Sequence, residues 1–338
     1  MDEVNTRIDP SVDSTAWIPV VGGGASGIDG ARLFLRHWAA QKEYKEKPRA
    51  VLNIVHGMAE HSLRYERLAR RLCAEGIEVW VADQRGHGLT ADTKINDPGI
   101  GGLRGHCADK GGFDLVTSDV DAVNRMIRAL RPGVPFFLMG HSWGSFVVQN
   151  YIENQDREGL DGCILSGTRG PDGFKVKIGA QVMALISVFQ GIRKGSTLSY
   201  LIANGPYNKS FRPNRTFFDW LSRDEKEVDG FVTDPLCGNL CSSGFYRDLL
   251  GALNRIHRSE AMDRIDRHLP IYVFGGSADP VGDMGASPTA LVGAYRALGI
   301  QDLEFVLYPD ARHETLNETN REEVTENLLS WILRHISN

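Results

Sequence analysis

Gly140-His141-Ser142-Trp143-Gly144 matches G-x-S-x-G, the spacing that lets a serine serve as a nucleophile. The pentapeptide follows a short apolar run, residues 136–139, and opens a helical stretch, residues 143–154. A strand feeding a sharp turn and then a helix is the setting this motif requires. Glycine at Gly140 and Gly144 removes the Cβ atoms that would clash inside such a turn. The free N–H groups at the helix start favour negative charge developing beside the Ser142 hydroxyl.

A serine hydroxyl needs a base. In this topology the acid and the base follow the serine in the order Ser, Asp or Glu, His. The downstream histidines are His257, His268, His313 and His335. His257 falls inside a predicted helix, His268 precedes a strand rather than following one, and His335 lies in the C-terminal helix. His313 alone follows a strand, residues 303–307, across a short loop, and is the predicted base. The carboxylate that orients it should follow the preceding strand, residues 271–274. Asp279 fits better there than Asp283 because it is nearer the strand end and Pro280 stiffens the loop behind it. An oxyanion needs two N–H donors, and the predicted pair is the backbone of Trp143 and of Met58, the latter in the loop after residues 50–55.

These residues can converge only if a particular framework carries them. Residues 32–38, 50–55, 77–82, 136–139 and 162–166 read as strands. Periodic stretches at 64–75, 113–131 and 143–154 alternate with them as helices. The alternation predicts a mostly parallel sheet with helices on both faces, and places any site beyond the carboxyl ends of the strands. It breaks near residue 170 and resumes near residue 245 with a helix at 245–258. The expected organisation is therefore a 1–30 extension, a core formed by 31–169 and 245–338, and a helical cap inserted as 170–244. Within the insertion, residues 178–192 carry apolar side chains on more than one face. They are read either as a lid that meets substrate or as a face packed on the core.

The 338 residues are 42% hydrophobic and 24% charged, proportions that exclude a disordered chain. A formal charge of −5 argues against binding driven by nucleic-acid phosphates. Cys73, Cys107, Cys163, Cys237 and Cys241 form no paired C-x-x-C units, so ordinary reduced thiols are expected. No cofactor and no metal are expected; the spacing of His56, Glu60 and His61 is not that of H-E-x-x-H. Arg64, Arg67 and Arg70 share a helix face that is read as solvated. Residues 1–10 lack the features of a secretory leader, and a soluble, cytoplasmic protein is expected.

Five ordered blocks carry a family resemblance: His56-Gly-Met-Ala-Glu-His-Ser-Leu-Arg-Tyr65, Asp83-Gln-Arg-Gly-His-Gly88, Gly140-His-Ser-Trp-Gly144, Gly275-Gly-Ser-Ala-Asp-Pro280 and Tyr308-Pro-Asp-Ala-Arg-His-Glu314. From about Ala31 onward the chain resembles the serine α/β-hydrolases of the monoacylglycerol lipase and lysophospholipase group. The resemblance implies an α/β-hydrolase core with a cap and no cofactor, and hydrolysis of a glycerol or phospholipid monoester. It assigns Ser142, Asp279 and His313 as triad, and Met58 and Trp143 as oxyanion donors. The chain departs from the family pattern in carrying Trp143 where many members have Met, Ser145 where many have Gly, and Met58-Ala59 after His56-Gly57. Bulky Trp143 and Met58 are expected to narrow the acyl site.

The expected partner is a small lipid or ester substrate, met with transient membrane contact through the cap, and no nucleic acid. The alternatives are an aminopeptidase-like hydrolase and an inactive binding protein on the same fold. The first would need an acidic anchor in the cap, for which Asp219, Asp224, Glu225 and Glu227 are available.

Overall fold

In the computed structural model of the chain, residues 8–20, 30–154, 159–171 and 174–336 are described. Eight strands form one sheet: β1 (Ser14–Pro19), β2 (Arg32–Trp38), β3 (Ala50–Val55), β4 (Ile77–Ala82), β5 (Phe136–His141), β6 (Gly162–Ser166), β7 (Ile271–Gly276) and β8 (Leu303–Tyr308). Their order across the sheet is β1-β2-β4-β3-β5-β6-β7-β8. Pairing is antiparallel from β1 to β2 and from β2 to β4, and parallel from there on. All the strands read from sequence are present. β1 is an addition: part of the 1–30 stretch, read only as an extension, forms an edge strand.

The order explains where a site can form. β4 lies on one side of β3 and β5 on the other, so the chain changes direction across the sheet at β3. A crevice opens at such a switch point, outside the carboxyl ends of the strands. The loop after β3 carries Met58, and the turn after β5 carries Ser142. Both strands are buried along their whole length, and helices cover both faces.

On one face lie α2 (Gly112–Leu130) and α3 (Trp143–Asn154), with α1 (Glu66–Ala74) on the other. α2 turns Phe113, Val116, Val120, Val123 and Ile127 inward. α3 is buried nearly all round, which fits a helix at the centre of a large domain. The inserted segment contributes α4 (Phe174–Gln190), α5 (Thr197–Ala203) and α6 (Glu225–Thr233). Then come α7 (Ser243–Ile256), α8 (Ser259–Met262), α9 (Ala286–Ala297) and α10 (Arg321–Arg334). α4 packs one side on the core and leaves another exposed. Met183 is fully buried, while Val188 and Phe189 are 76% and 81% exposed.

All five cysteines are buried and free. Among the described residues no helix is long and apolar enough to cross a membrane.

Candidate active site

The turn between β5 and α3 holds Ser142 at φ +51°, a left-handed conformation that non-glycine residues avoid. The Ser142 amide donates to the Ser166 carbonyl at 2.9 Å and Ser145 N–H donates back to the Ser142 carbonyl at 2.8 Å, so both sides of the strained residue are tied down. Ser145 adds a hydroxyl bond to the Ser142 carbonyl and another, 2.7 Å long, to Thr168 Oγ1. A glycine there would lack both. The neighbouring glycines are required by space. A Cβ on Gly140 would stand 2.4 Å from the Gly144 carbonyl oxygen, and one on Gly144 would stand 2.1 Å from that of Val55. Backbone cannot step aside as a flexible side chain can. Gly144→Ala is therefore expected to lower folding stability by about 3 kcal/mol or more, read from the denaturant midpoint. An unchanged midpoint would contradict this packing.

The structure brings the predicted residues together. His313 Nε2 lies 2.8 Å from Ser142 Oγ, and His313 Nδ1 lies 2.9 Å from Asp279 Oδ2. With its proton on Nδ1, the imidazole donates to Asp279 and accepts the Ser142 hydroxyl. Asp279 Oδ1 in turn accepts the Val281 amide at 2.8 Å, which fixes the carboxylate's second oxygen. Asp283, the competitor, is exposed and lies outside this chain of bonds, at φ +51°. Burial alone would push the His313 pKa down. The adjacent Asp279 carboxylate and its hydrogen bond outweigh that, so the group titrates above its ordinary 6.5. His141 packs 5.0 Å from the His313 ring, and burial followed by the charge of His313 pushes it down to about 4. At neutral pH it therefore places no positive charge beside His313.

Met58 and Trp143 line one cavity together with Ser142 and His313. Trp143 is the first residue of α3, where N–H groups lack an intrahelical acceptor. Its indole is buried between His87 and Phe245, each ring 5.1 Å away, so most of its bulk is in the core. The cavity is about 600 Å³, within the range of small-molecule sites. Its far wall is apolar and comes from Val176 and Met183 of α4 and from Leu250 and Leu253 of α7.

Two features escaped the sequence reading. The first is Trp220, from the inserted segment. Its ring packs 5.2 Å from that of His313, its carbonyl accepts the His313 amide, and the Leu221 carbonyl accepts Glu314 N–H at 2.8 Å. Nothing in the local sequence signals this contact, because it depends on how a long insertion folds back. The second is Arg64, which is not on a solvated face. Its side chain is largely buried and closes on Glu60 and Glu314, each at 2.7 Å. Arg67 and Arg70 are exposed, as read. Arg64 was read as solvated with Arg67 and Arg70 because its partner Glu314 lies 250 residues away.

Ligand atoms of His61, Asp234 and Cys237 lie within 4.8 Å of one another, the single such group among the described residues. His61 Nε2 is already satisfied by Asp234 at 2.8 Å. The charge of Arg64 acts on both Asp234 and Cys237 and opposes a further cation there.

Comparison with known proteins places this geometry in context. The family described as serine aminopeptidase, S33 (Hydrolase_4) matches residues 46–320. A monoacylglycerol lipase of Mycolicibacterium smegmatis is 26% identical over 92% of this chain and 96% of its own. A monoglyceride lipase of Mus musculus is 30% identical over 91% of this chain and 89% of its own. Among solved structures, a thermostable carboxyl esterase from Bacillus coagulans in complex with glycerol superposes with a TM-score of 0.83 at 25% identity. That match covers 96% of this chain and 99% of the esterase.

Proposed function

Because the chain belongs to the serine aminopeptidase, S33 (Hydrolase_4) family and is a carboxylic ester hydrolase with the α/β-hydrolase fold, we propose that it cleaves a monoacylglycerol or a lysophospholipid through Ser142, His313 and Asp279. The observation that carries this reading is the continuous relay from Ser142 Oγ through His313 to Asp279 beneath a cavity whose far wall is apolar. Ser142 Oγ forms a bond to the ester carbonyl carbon while His313 Nε2 takes its proton. The Met58 and Trp143 N–H groups receive the oxyanion. His313 then gives the proton to the leaving alcohol as the C–O bond breaks. Water, deprotonated by the same imidazole, releases the fatty acid and regenerates the serine. Asp279 holds the tautomer and stabilises the imidazolium.

Residues 170–244 act as the cap in this reading, with α4 contributing on both sides. Its inner face lines the cavity. Leu185, Val188 and Phe189 on its outer side are exposed, as are Leu198 and Leu201 of α5. Exposed apolar side chains on the cap fit contact with a lipid surface. A Val188→Ser, Phe189→Ser double variant is expected to hydrolyse monoacylglycerol in vesicles roughly tenfold more slowly and a short soluble ester at the wild-type rate. Equal rates on both would remove the membrane role. The buried free thiols are in keeping with work in the reducing cytoplasm.

The aminopeptidase alternative needs an acidic anchor in the cap, and the four cap acids are not among the residues that line the cavity; the acids that do, Glu60, Asp283 and Glu314, come from the core. Asp219 accepts the Arg215 and Thr216 amides of its own turn, Asp224 pairs with Arg321, Glu227 pairs with Arg67, and Glu225 is exposed. Initial rates across monoacylglycerols, lysophospholipids, short esters and aminoacyl amides test the proposal. Preference for a long-chain monoester supports it, and preference for an aminoacyl amide overturns it.

A further inference from the structure

Arg64 joins two loops that approach Ser142 from opposite directions. One arm runs toward the loop after β3. Arg64 Nη1 donates to Glu60 Oε2 at 2.7 Å, and Glu60 Oε1 accepts the Gly57 amide and the Tyr65 hydroxyl, the latter at 2.8 Å. Gly57 immediately precedes Met58. The turn that folds Glu60 back needs Ala59 at φ +56°. It also needs a bare Gly57, whose added Cβ would meet Glu60 Oε1 at 2.8 Å and Ser142 Cβ at 3.3 Å. The other arm runs toward the loop after β8. Arg64 Nη1 and Nη2 donate to the two carboxylate oxygens of Glu314, each at 2.7 Å, and Glu314 immediately follows His313.

We infer that Arg64 is a positioning residue for ester cleavage. Its planar fork holds the loop that presents the Met58 amide and the loop that presents His313 in one fixed relation. This rests on the roles of Ser142, His313 and Met58 proposed above. Arg64 does not line the main cavity, so it acts through its neighbours and not on substrate. Both carboxylates are buried, and the arginine charge holds them ionised: Glu60 titrates down at about 2, and Glu314 is also lowered. Lysine could keep the charge but not three bonds in one plane.

The test measures kcat, KM and thermal midpoint for Arg64→Lys, Glu314→Gln and Arg64→Met, with kcat expressed per site titrated by a fluorophosphonate. Arg64→Lys and Glu314→Gln are expected to lose about tenfold to a hundredfold in kcat with KM within about twofold, because small displacements of reacting groups are costly. Arg64→Met should lose more, or fail to fold, in which case the two conservative variants decide. A kcat per titrated site within about twofold of wild type in both would assign Arg64 to folding alone and overturn the inference. Ser142→Ala is assayed alongside. If that variant keeps activity, the nucleophile assignment fails whatever the Arg64 variants do, so the two failures are distinguishable.

Discussion

Ser142→Ala is expected to abolish ester hydrolysis, lowering kcat on the order of a millionfold, the loss seen when the nucleophile of a serine hydrolase is removed. The expectation follows from the geometry around one oxygen. Ser142 Oγ is the atom 2.8 Å from His313 Nε2, and the strained turn that presents it is held by bonds on both sides. Alanine keeps the turn, since its Cβ is already accommodated, and removes only the attacking atom. Folding should therefore survive while fluorophosphonate labelling disappears. Retained activity, or labelling at another residue, would sink the mechanism. The same experiment eliminates the inactive-binder alternative if the wild-type enzyme labels stoichiometrically.

Asp279→Asn should cost about 10⁴ in kcat, as it does where an asparagine replaces the triad carboxylate and selects the wrong imidazole tautomer. It should also move the pH profile, and the sign is fixed by His313. In the proposed mechanism the base is the neutral imidazole, so activity should fall as pH drops through its pKa. That pKa lies above 6.5 because the Asp279 charge and hydrogen bond overcome burial. Removing the charge leaves burial, which disfavours the imidazolium, against only the smaller influence of the Glu314 and Glu60 carboxylates. The acidic limb of kcat/KM should then move to lower pH in the variant. A limb that stays in place, or moves up, would mean that Asp279 does not set the charge state of His313.

How much of this was legible beforehand depended on how local the determining contacts are. β3 and β5 announce themselves as short apolar runs ending at glycine-containing turns, because a strand buried on both faces has little room for polar residues. Ser142, Asp279 and His313 are readable because each follows a strand, and strand ends are where this topology converges. β1 was missed. It is an edge strand between segments with no clear period, and its partner β2 supplies much of the reason it forms. Arg64 was misread because the carboxylate that completes its site comes from the far end of the chain. Trp220 was missed for the same physical reason: a contact made by an insertion depends on the path of the whole insertion.

The junction between Trp220 and His313 bears on how such a protein can be re-engineered or can diverge. Residues 219–223 are woven into the loop that carries His313. Trp220 and Leu221 carbonyls accept His313 and Glu314 amides, Arg312 reaches the carbonyls of Asp219 and Ser222, and Arg223 pairs with Glu318. α4 and α5 have no such ties to His313 among the described residues. The insertion is thus not one exchangeable module. The exposed positions of α4, such as Val188 and Phe189, can be varied without touching that junction. A graft that replaced the whole segment would have to reproduce the 219–223 backbone or lose the seat of the imidazole.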